Sequence, residues 1–325
     1  MVNKKIKWGI LGLGKIANKF ASDLQLESDA ELYGVASRSS EKAIEFAKKY
    51  NAIKTYSSYK ELAEDADIDI IYVATPHTFH FENAMMCLQN DKSVLCEKPM
   101  GMNASEVETM IAEAKKRNLF LMEGLWTRFI PATEKVIELI KNKTIGEVLF
   151  VKADFGFKPN YDPQGRLYNK KLGGGSLLDI GIYPVYLSLL LLGLPGNIKA
   201  MARFTESGVD SYCSVLFDYE NNSKAILEST IEADTPIEAY VYGTKGNIKL
   251  HKRFHHSEKL TVTRDGFPKE EIDLKYKGEG YIHEIEEVMS CLINNKTESA
   301  KLPLLTSLNL IALLDKIRNE IGLKY

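Results

Sequence analysis

The chain has 325 residues, and its 42 basic and 44 acidic side chains nearly cancel. This balance excludes the strong positive charge that draws proteins to nucleic acids or anionic membranes, so the expected partner is a small molecule or a second copy of the chain. Hydrophobic residues make up 45% of the sequence, enough for the cores of two globular domains. Residues 1–7 lead into a strand without an apolar signal segment, and we expect a cytoplasmic protein.

The first part of the chain alternates short apolar strands with amphipathic helices. The predicted strands are 7–11, 31–36, 70–74, 93–96 and 119–122, and the predicted helices are 15–26, 40–50, 57–63, 79–90 and 104–117. Such alternation is typical of a doubly wound parallel sheet, the α/β arrangement called the Rossmann fold. We predict this dinucleotide-binding domain over residues 1–123.

Beyond residue 123 the pattern changes to longer segments in which polar and apolar residues alternate. A predicted helix at 130–142 precedes strands at 147–155, 198–204, 211–219, 224–231, 238–242 and 246–251, and helices at 281–294 and 307–321 close the chain. Alternation with tight connections indicates a mostly antiparallel sheet. The sequence therefore predicts an α+β domain with a large open sheet over residues 124–325.

A glycine-rich turn joins the first predicted strand to the first helix. It reads Gly12-Leu13-Gly14-Lys15-Ile16-Ala17, a G-x-G-x-x-A pattern in the context that dinucleotide binding requires. Gly12 makes the tight turn, Gly14 lets the backbone approach the pyrophosphate, and Ala17 permits close helix–strand packing. We expect this turn to bind NADP or NAD; a glycine-rich turn without a ligand is the alternative.

The second strand ends in Ser37 and Arg38, where NAD-binding folds usually carry an acid that binds the ribose 2′-hydroxyl. No carboxylate stands at that edge. A guanidinium flanked by hydroxyls suits a 2′-phosphate, because arginine can donate to two phosphate oxygens at once. The sequence therefore predicts NADP as the preferred cofactor, and the alternative is an exposed arginine at a helix start.

The segment after the third predicted strand lies at the same edge of the sheet. Thr75, Pro76, His77 and His80 come after the strand at 70–74, where main-chain groups commonly line the nicotinamide ribose. Both histidines are candidates for cofactor contact, with capping of the next helix as the alternative.

The strand at 93–96 runs directly into Glu97 and Lys98. An ammonium group then stands at the edge where ligands bind in open α/β sheets, so Lys98 is the leading catalytic candidate. Glu97 and Lys98 are also candidates for cofactor contact, and for Glu97 we expect a structural ion pair rather than proton transfer.

In the second domain, three glycines precede Ser176 and Asp179, whose spacing resembles a capping box at a helix start. Asp179 and Tyr183 are four residues apart, which places both on one face of a helix. A polar pair in so apolar a segment needs a partner, such as substrate or Lys98. The alternatives are that Asp179 only caps the helix and that Tyr183 is a core tyrosine.

Together these motifs resemble the Gfo/Idh/MocA family of oxidoreductases over essentially the whole chain. The resemblance rests on the turn from Gly12, on Glu97-Lys98-Pro99 and on Asp179-Ile180-Gly181-Ile182-Tyr183. The segment Met122-Glu123-Gly124-Leu125-Trp126-Thr127-Arg128-Phe129 is similar to the branch of dimeric dihydrodiol dehydrogenases and NADP-dependent xylose dehydrogenases.

The resemblance implies that Lys98 and Tyr183 form the proton-handling site, with tyrosine where many members have histidine. It also implies a sugar, polyol or diol substrate, and a homodimer or dimer of dimers formed by the open sheet face. Trp126 and Arg128 are candidates for the wall of the pocket and for cofactor contact, with ordinary packing as the alternative.

For the mechanism, we hypothesise that Tyr183 takes or gives the hydroxyl proton during hydride transfer. Lys98 would favour the phenolate, and Asp179 would position Lys98 or a substrate hydroxyl. A second interpretation is a reductase of a ketose, anhydro-sugar or dicarbonyl. A third is a regulator that senses NADP without turnover.

No metal site is predicted. The four cysteines, Cys87, Cys96, Cys213 and Cys291, lack C-x-x-C spacing and are interpreted as buried free thiols. The polar run at 251–256 lacks nearby carboxylates and is interpreted as a solvated edge.

Overall fold

The computed structural model describes residues 5–325; residues 1–4, part of the predicted first domain, lie outside the described residues. The described chain forms two compact units. Residues up to 128 together with 277–308 make the first unit, and residues 129–276 together with 309–325 make the second.

The first unit is built on a six-stranded parallel sheet. Its strands are β1 (Ile6–Leu11), β2 (Ala30–Ala36), β3 (Lys54–Tyr56), β4 (Ile70–Val73), β5 (Ser93–Glu97) and β6 (Leu121–Gly124), in the spatial order β3-β2-β1-β4-β5-β6. The helices between them are α1 (Lys15–Leu24), α2 (Ser40–Tyr50), α3 (Tyr59–Glu64), α4 (His80–Gln89) and α5 (Ala104–Arg117). The predicted α/β class is confirmed. Strand β3 was not predicted, because three mostly exposed residues are too few to show a pattern.

All strands of this sheet run in one direction, so their carboxyl ends meet at one edge. Gly12, Ser37, Ala74 and Lys98 follow β1, β2, β4 and β5 and therefore lie along that edge. The strand order reverses between β1 and β4, which is where open α/β sheets bind their ligands.

The second unit is built on an eight-stranded sheet. Its strands are β7 (Val148–Gly156), β8 (Asn197–Phe204), β9 (Asp210–Asp218), β10 (Lys224–Thr230), β11 (Ala239–Gly243), β12 (Gly246–Leu250), β13 (Lys259–Arg264) and β14 (Glu270–Asp273), in the order β14-β13-β12-β11-β7-β10-β9-β8. β7 and β10 pair in parallel and the other neighbours pair antiparallel, so the predicted, mostly antiparallel sheet is confirmed. β13 and β14 were not predicted; three acids in the four residues of β14 hide any alternation.

Two helices of the second unit are α6 (Pro131–Lys141) and α7 (Ile182–Leu192), and α7 packs on β7 and β10. Within the described residues, the segment 170–192 is long and apolar enough to resemble a membrane span, yet 83% of its most apolar window is buried inside the fold. It therefore acts here as core covering one face of the sheet.

The last helices are α8 (Ile282–Ile293) and α9 (Leu304–Ile321). Residues 277–308 belong to the first compact unit, whereas the predicted division at residue 123 places them in the second domain. The fully buried Asp23 of α1 explains their return. Its carboxylate accepts hydrogen bonds from the backbone N–H groups of Tyr281 (2.8 Å) and Ile282 (3.1 Å) at the start of α8. A helix start satisfied from so far along the chain leaves no local sequence signal.

Candidate active site

The glycine turn after β1 has the backbone geometry that a bound phosphate needs. Gly12 has a φ of +91°, and a Cβ at this position would lie 3.0 Å from the Ala74 carbonyl oxygen. Gly14 is the N-cap of α1, and nothing lies within 4 Å of the place where its Cβ would be. A phosphate can therefore approach the N–H groups of the helix start. Ala17 is fully buried, as its predicted packing role requires.

A cavity of about 400 Å³ opens at this turn. Its wall is formed by Gly12, Leu13, Gly14, Ser37, Arg38, Ser39, Lys42, Tyr59, Ala74, Thr75 and Pro76. The structure thus brings together the predicted turn, the end of β2 and the loop after β4. A wall that combines the helix-start N–H groups with the cations Arg38 and Lys42 fits a dinucleotide that carries an additional phosphate.

Two cations, Arg38 after β2 and Lys42 at the start of α2, are part of this wall, and the sequence prediction identified only Arg38. Lys42, exposed in the first turn of α2, was missed, although a second cation so soon after Arg38 was a usable signal. The Ser39 side chain forms hydrogen bonds within the start of α2. Its Oγ accepts a hydrogen bond from the Lys42 backbone N–H at 3.3 Å and donates to the Glu41 carboxylate at 2.7 Å. Ser39 therefore caps α2.

Lys98 follows β5 and is half-buried. Its backbone N–H donates to Glu97 Oε2 at 3.2 Å, and Glu97 also accepts a hydrogen bond from the Tyr72 hydroxyl. Burial, with the nearby Glu97 carboxylate, raises the pKa of Tyr72 well above its usual value, so the phenol stays protonated as a donor. Glu97 thus has a structural role beside the lysine.

Two further buried carboxyl groups lie in the first unit, Glu123 on β6 and Glu284 on α8. Burial raises the pKa of Glu123 to about 7, although a 2.9 Å hydrogen bond from the Met100 backbone N–H acts in the opposite direction. Burial, reinforced by neighbouring carboxylates, raises the pKa of Glu284 well above its usual value. The fold therefore favours the neutral form of both groups.

Of the four residues predicted to contact the cofactor in the segment after β4, only two line the cavity. Thr75 and Pro76 line the cavity, whereas His77 and His80 are buried and are not part of its wall. The ring nitrogens of His80 each lie 2.8 Å from a backbone oxygen, Nδ1 from that of Pro99 and Nε2 from that of Thr75. His80 thus connects two loops of the sheet edge.

Trp126 and Arg128 lie in a short 3₁₀ turn after β6 and are both buried. The Trp126 ring stacks on Tyr281, with 4.6 Å between the ring centroids. Arg128 Nε donates to the Lys301 carbonyl oxygen at 2.8 Å. Within the first unit, Trp126 and Arg128 thus make packing contacts, which the sequence analysis gave as the alternative to lining the pocket.

In the second unit, the segment that carries Asp179 is not the predicted capped helix start. Leu177–Gly181 form a π-helical turn before α7, a feature frequent at functional sites. The Ser176 hydroxyl donates to the buried Asp210 carboxylate at 2.7 Å, and Asp210 also accepts from the Leu177 N–H at 2.7 Å. The predicted capping box is wrong, because an aspartate distant in sequence accepts the hydrogen bonds at this helix start.

Asp179 itself is buried and is paired with Arg166. Arg166 Nη1 lies 2.5 Å from Oδ1 and Nη2 lies 3.2 Å from Oδ2. From the sequence, we predicted that Asp179 needs a partner and suggested substrate or Lys98. Arg166 was not identified. Because a π-helical turn holds more residues than an α-helical turn, the four-residue spacing alone does not align Asp179 with Tyr183.

Tyr183 is 7% exposed and lies among aromatic rings of its own unit. Its ring centroid is 4.7 Å from that of His255 and 5.7 Å from that of Phe155. The interpretation of residues 251–256 as a solvated edge is wrong at His255, which is also 7% exposed. No local pattern could show this histidine packing against a tyrosine from another element.

Within residues 5–325, no group of three or more His, Cys, Asp or Glu side chains is arranged to hold a metal ion. The four cysteines are free and buried, as predicted.

A doubly wound sheet with a nucleotide cavity at its switch point and a lysine at a neighbouring strand end is typical of NAD(P)-dependent oxidoreductases. Family comparison agrees: residues 6–125 match the family described as "Oxidoreductase family, NAD-binding Rossmann fold", and residues 133–249 match the "GFO/IDH/MocA C-terminal domain". The chain belongs to the Gfo/Idh/MocA family, which confirms the resemblance and the prediction of an NAD(P)-dependent oxidoreductase.

Individual relatives cover nearly the whole chain. It is 38% identical to trans-1,2-dihydrobenzene-1,2-diol dehydrogenase of Xenopus tropicalis, over 98% of this chain and 99% of the relative. The Homo sapiens enzyme of the same name is 36% identical, over 98% of both chains. A solved 3-ketoreductase from Actinomadura kijaniata, in complex with NADP and TDP-benzene, is 25% identical over 98% of both chains with a TM-score of 0.87. An aldose-aldose oxidoreductase from Caulobacter crescentus shares the fold, with a TM-score of 0.89 at 24% identity over 98% of both chains.

Proposed function

We propose that the chain is an NADP-dependent dehydrogenase of a vicinal diol, or of a carbinol carbon in a sugar or polyol. The observation that carries the proposal is the similarity, over 98% of the chain, to proteins named trans-1,2-dihydrobenzene-1,2-diol dehydrogenase. Arg38 and Lys42 in the wall of the nucleotide cavity support NADP as the cofactor.

The site residues have separate roles in this proposal. The bound nicotinamide supplies the acceptor or donor of the hydride. Tyr183 exchanges the proton of the reacting hydroxyl, and the Lys98 ammonium favours the phenolate and donates a hydrogen bond to the reacting oxygen. Asp179, oriented by Arg166, accepts a hydrogen bond from a substrate hydroxyl.

The test compares Lys98→Met and Tyr183→Phe with the unchanged protein. NADP⁺ and NAD⁺ are supplied with a panel of trans-dihydrodiols, aldoses and inositols, and formation of the reduced nicotinamide is followed by absorbance. We expect kcat to fall by about 10²-fold or more in each variant while cofactor Kd stays unchanged, since general acid–base catalysis contributes effects of that size. Near-normal kcat in either variant would remove that residue from its role. Tyr212→Phe, which removes a hydroxyl bonded to Glu228 on β10, is the matched control.

A second candidate is the reverse chemistry, reduction of a ketose, anhydro-sugar or dicarbonyl. The similarity in sequence and structure to the 3-ketoreductase favours testing it. The same variants are assayed with NADPH and a carbonyl panel. Tight NADP binding without turnover in either direction would instead support a regulator that senses NADP. The presence of Lys98, Asp179 and Tyr183 argues against that function.

We also propose a homodimer, or a dimer of dimers built from it, through the exposed face of the eight-stranded sheet. Phe150 and Tyr242 stack on this face at 4.4 Å between ring centroids, and the paired residues Leu216 and Ile226 are 46% and 42% exposed. An apolar area of this kind is typical of protein–protein contact. On the balanced charge we propose that the protein has no nucleic-acid or membrane partners. We also propose that it is cytoplasmic.

A further inference from the structure

The buried ring of His80 is a feature of the first unit that neither the cofactor nor the proposed chemistry accounts for. His80 is the first residue of α4 and is 1% exposed. Its Nδ1 lies 2.8 Å from the Pro99 carbonyl oxygen, and its Nε2 lies 2.8 Å from the Thr75 carbonyl oxygen. Both ring nitrogens are therefore at hydrogen-bonding distance from backbone acceptors.

The two carbonyl groups belong to loops with different tasks. Thr75 follows β4 and lines the nucleotide cavity. Pro99 follows β5 and is bonded directly to Lys98. Since β4 and β5 are neighbouring strands, one imidazole spans the gap between the cofactor loop and the lysine loop.

Each contact needs an N–H group on the ring, and a neutral imidazole has only one. Burial lowers the pKa of His80 to about 4, although its hydrogen bonds to the two carbonyl groups act in the opposite direction. Near neutral pH the ring is therefore neutral. One tautomer donates to Pro99 and the other donates to Thr75, so the two loops compete for a single hydrogen.

Each of the two loops also has contacts of its own besides the ring. Thr75 is also held by its side chain, whose Oγ1 accepts a hydrogen bond from Asn83 at 3.3 Å. The lysine loop is held by the Met100 N–H, which donates to Glu123 at 2.9 Å, and by the Lys98 N–H at 3.2 Å from Glu97. His80 adds the contact at the residue between these two N–H groups.

We propose that His80 is a positioning residue, whose Nδ1–H bond to Pro99 fixes the lysine loop and so aims the Lys98 ammonium. This inference rests on the proposed role of Lys98 in turnover. Its contact with Thr75 connects the same ring to the cofactor pocket, which makes the histidine a link between the two loops.

Two amide substitutions separate the contacts. The amide nitrogen of asparagine is as many bonds from Cα as Nδ1, and that of glutamine as many as Nε2. His80→Asn can therefore keep the bond to Pro99, and His80→Gln can keep the bond to Thr75. We expect His80→Asn to retain kcat within about threefold, and His80→Gln to lose about tenfold or more in kcat, a barrier change of about 1.4 kcal/mol. We expect NADP⁺ Kd to change little in His80→Gln.

A merely structural role would change kcat in His80→Asn and His80→Gln alike. A loss of kcat in His80→Gln with an unchanged Kd for NADP⁺ therefore indicates positioning. Equal kcat losses in His80→Asn and His80→Gln, or normal kcat in His80→Gln, would overturn the proposal. Adding Lys98→Met to His80→Gln should cost no more than Lys98→Met alone, because both changes remove the same contribution. If Lys98→Met alone is fully active, the proposed function of the lysine fails, and the positioning role fails with it. If Lys98→Met is impaired and His80→Gln is not, only the inference about His80 fails.

A measurement on the unchanged protein guards against variants that do not fold. With ¹⁵N-labelled histidine, the ring nitrogen shifts assign the tautomer of His80 directly. We expect the hydrogen on Nδ1 at neutral pH. A ring protonated only on Nε2 would contradict the proposal.

Discussion

Arg166 and Asp179 form a two-point ion pair in which Nη1 lies 2.5 Å from Oδ1 and Nη2 lies 3.2 Å from Oδ2. The Asp179 side chain is 10% exposed, whereas the Arg166 side chain is 47% exposed. The pair therefore compensates a buried charge from the solvent side. It also orients the acid that we place near the substrate.

Removing one partner of this pair should cost more than removing both. We expect Arg166→Met to lower the free energy of unfolding by about 1–2 kcal/mol, below the usual cost of breaking a buried pair because Arg166 is half exposed. Arg166→Met combined with Asp179→Asn should recover part of that loss, since no unpaired charge is left. Urea unfolding of the two single variants and the double variant checks this, and strictly additive losses would contradict it. In turnover assays the double variant should be no slower than Asp179→Asn.

Cofactor choice should depend on Arg38, which follows β2, and on Lys42 in the first turn of α2. We expect Arg38→Ala to raise Kd for NADP⁺ by about tenfold or more and to leave Kd for NAD⁺ nearly unchanged, because only NADP⁺ carries the 2′-phosphate. Lys42→Ala should have a smaller effect of the same kind. Titration calorimetry with both nucleotides measures this, and Lys48→Ala in the last turn of α2 is the charge-matched control. Equal losses for the two nucleotides would rule out the assignment.

Stability should depend on pH through Glu123. Burial raises its pKa to about 7 from a usual value of 4.5, so the native state holds a proton that the unfolded chain releases. Stability from this source is present below pH 4.5 and is lost as the pH rises through 7. Glu123→Gln should therefore gain stability relative to the unchanged protein as the pH is raised from 5 to 8, at about 1.4 kcal/mol for each pH unit at most. Chemical unfolding at both pH values checks this, with exposed Glu108→Gln as control; parallel curves would count against it.

The exposed sheet face offers a test of the dimer. Leu216→Glu places a charge in the middle of the apolar area, and Lys199 on the paired strand stands opposite, so the monomer fold should tolerate the change. We expect sedimentation to show a shift from dimer to monomer. Leu26→Glu alters a leucine of the first unit that is 52% exposed and should leave the mass unchanged. A monomeric unchanged protein, or a dimeric Leu216→Glu variant, would reject this interface.

Local sequence was enough for the scaffold. The glycine turn, the strand ends that bear Arg38 and Lys98, and the alternation in the second sheet follow from backbone freedom and from periodicities of two to four residues, which neighbours along the chain determine. The family resemblance rested on the same short segments. Strands β3 and β14 were missed because one is too short, and the other too charged, to show a period.

Only the tertiary structure decided the partners. Asp23 caps a helix start more than 250 residues away. The Ser176 hydroxyl, expected to accept a capping hydrogen bond, donates to Asp210 instead, and His255 is buried against Tyr183. Hydrogen bonds and desolvation depend on which groups are in contact in the folded structure. A single sequence gives the residue types but not those contacts. The motifs therefore identified the class of chemistry, whereas the pairing of Asp179 with Arg166 and the link made by His80 required the fold.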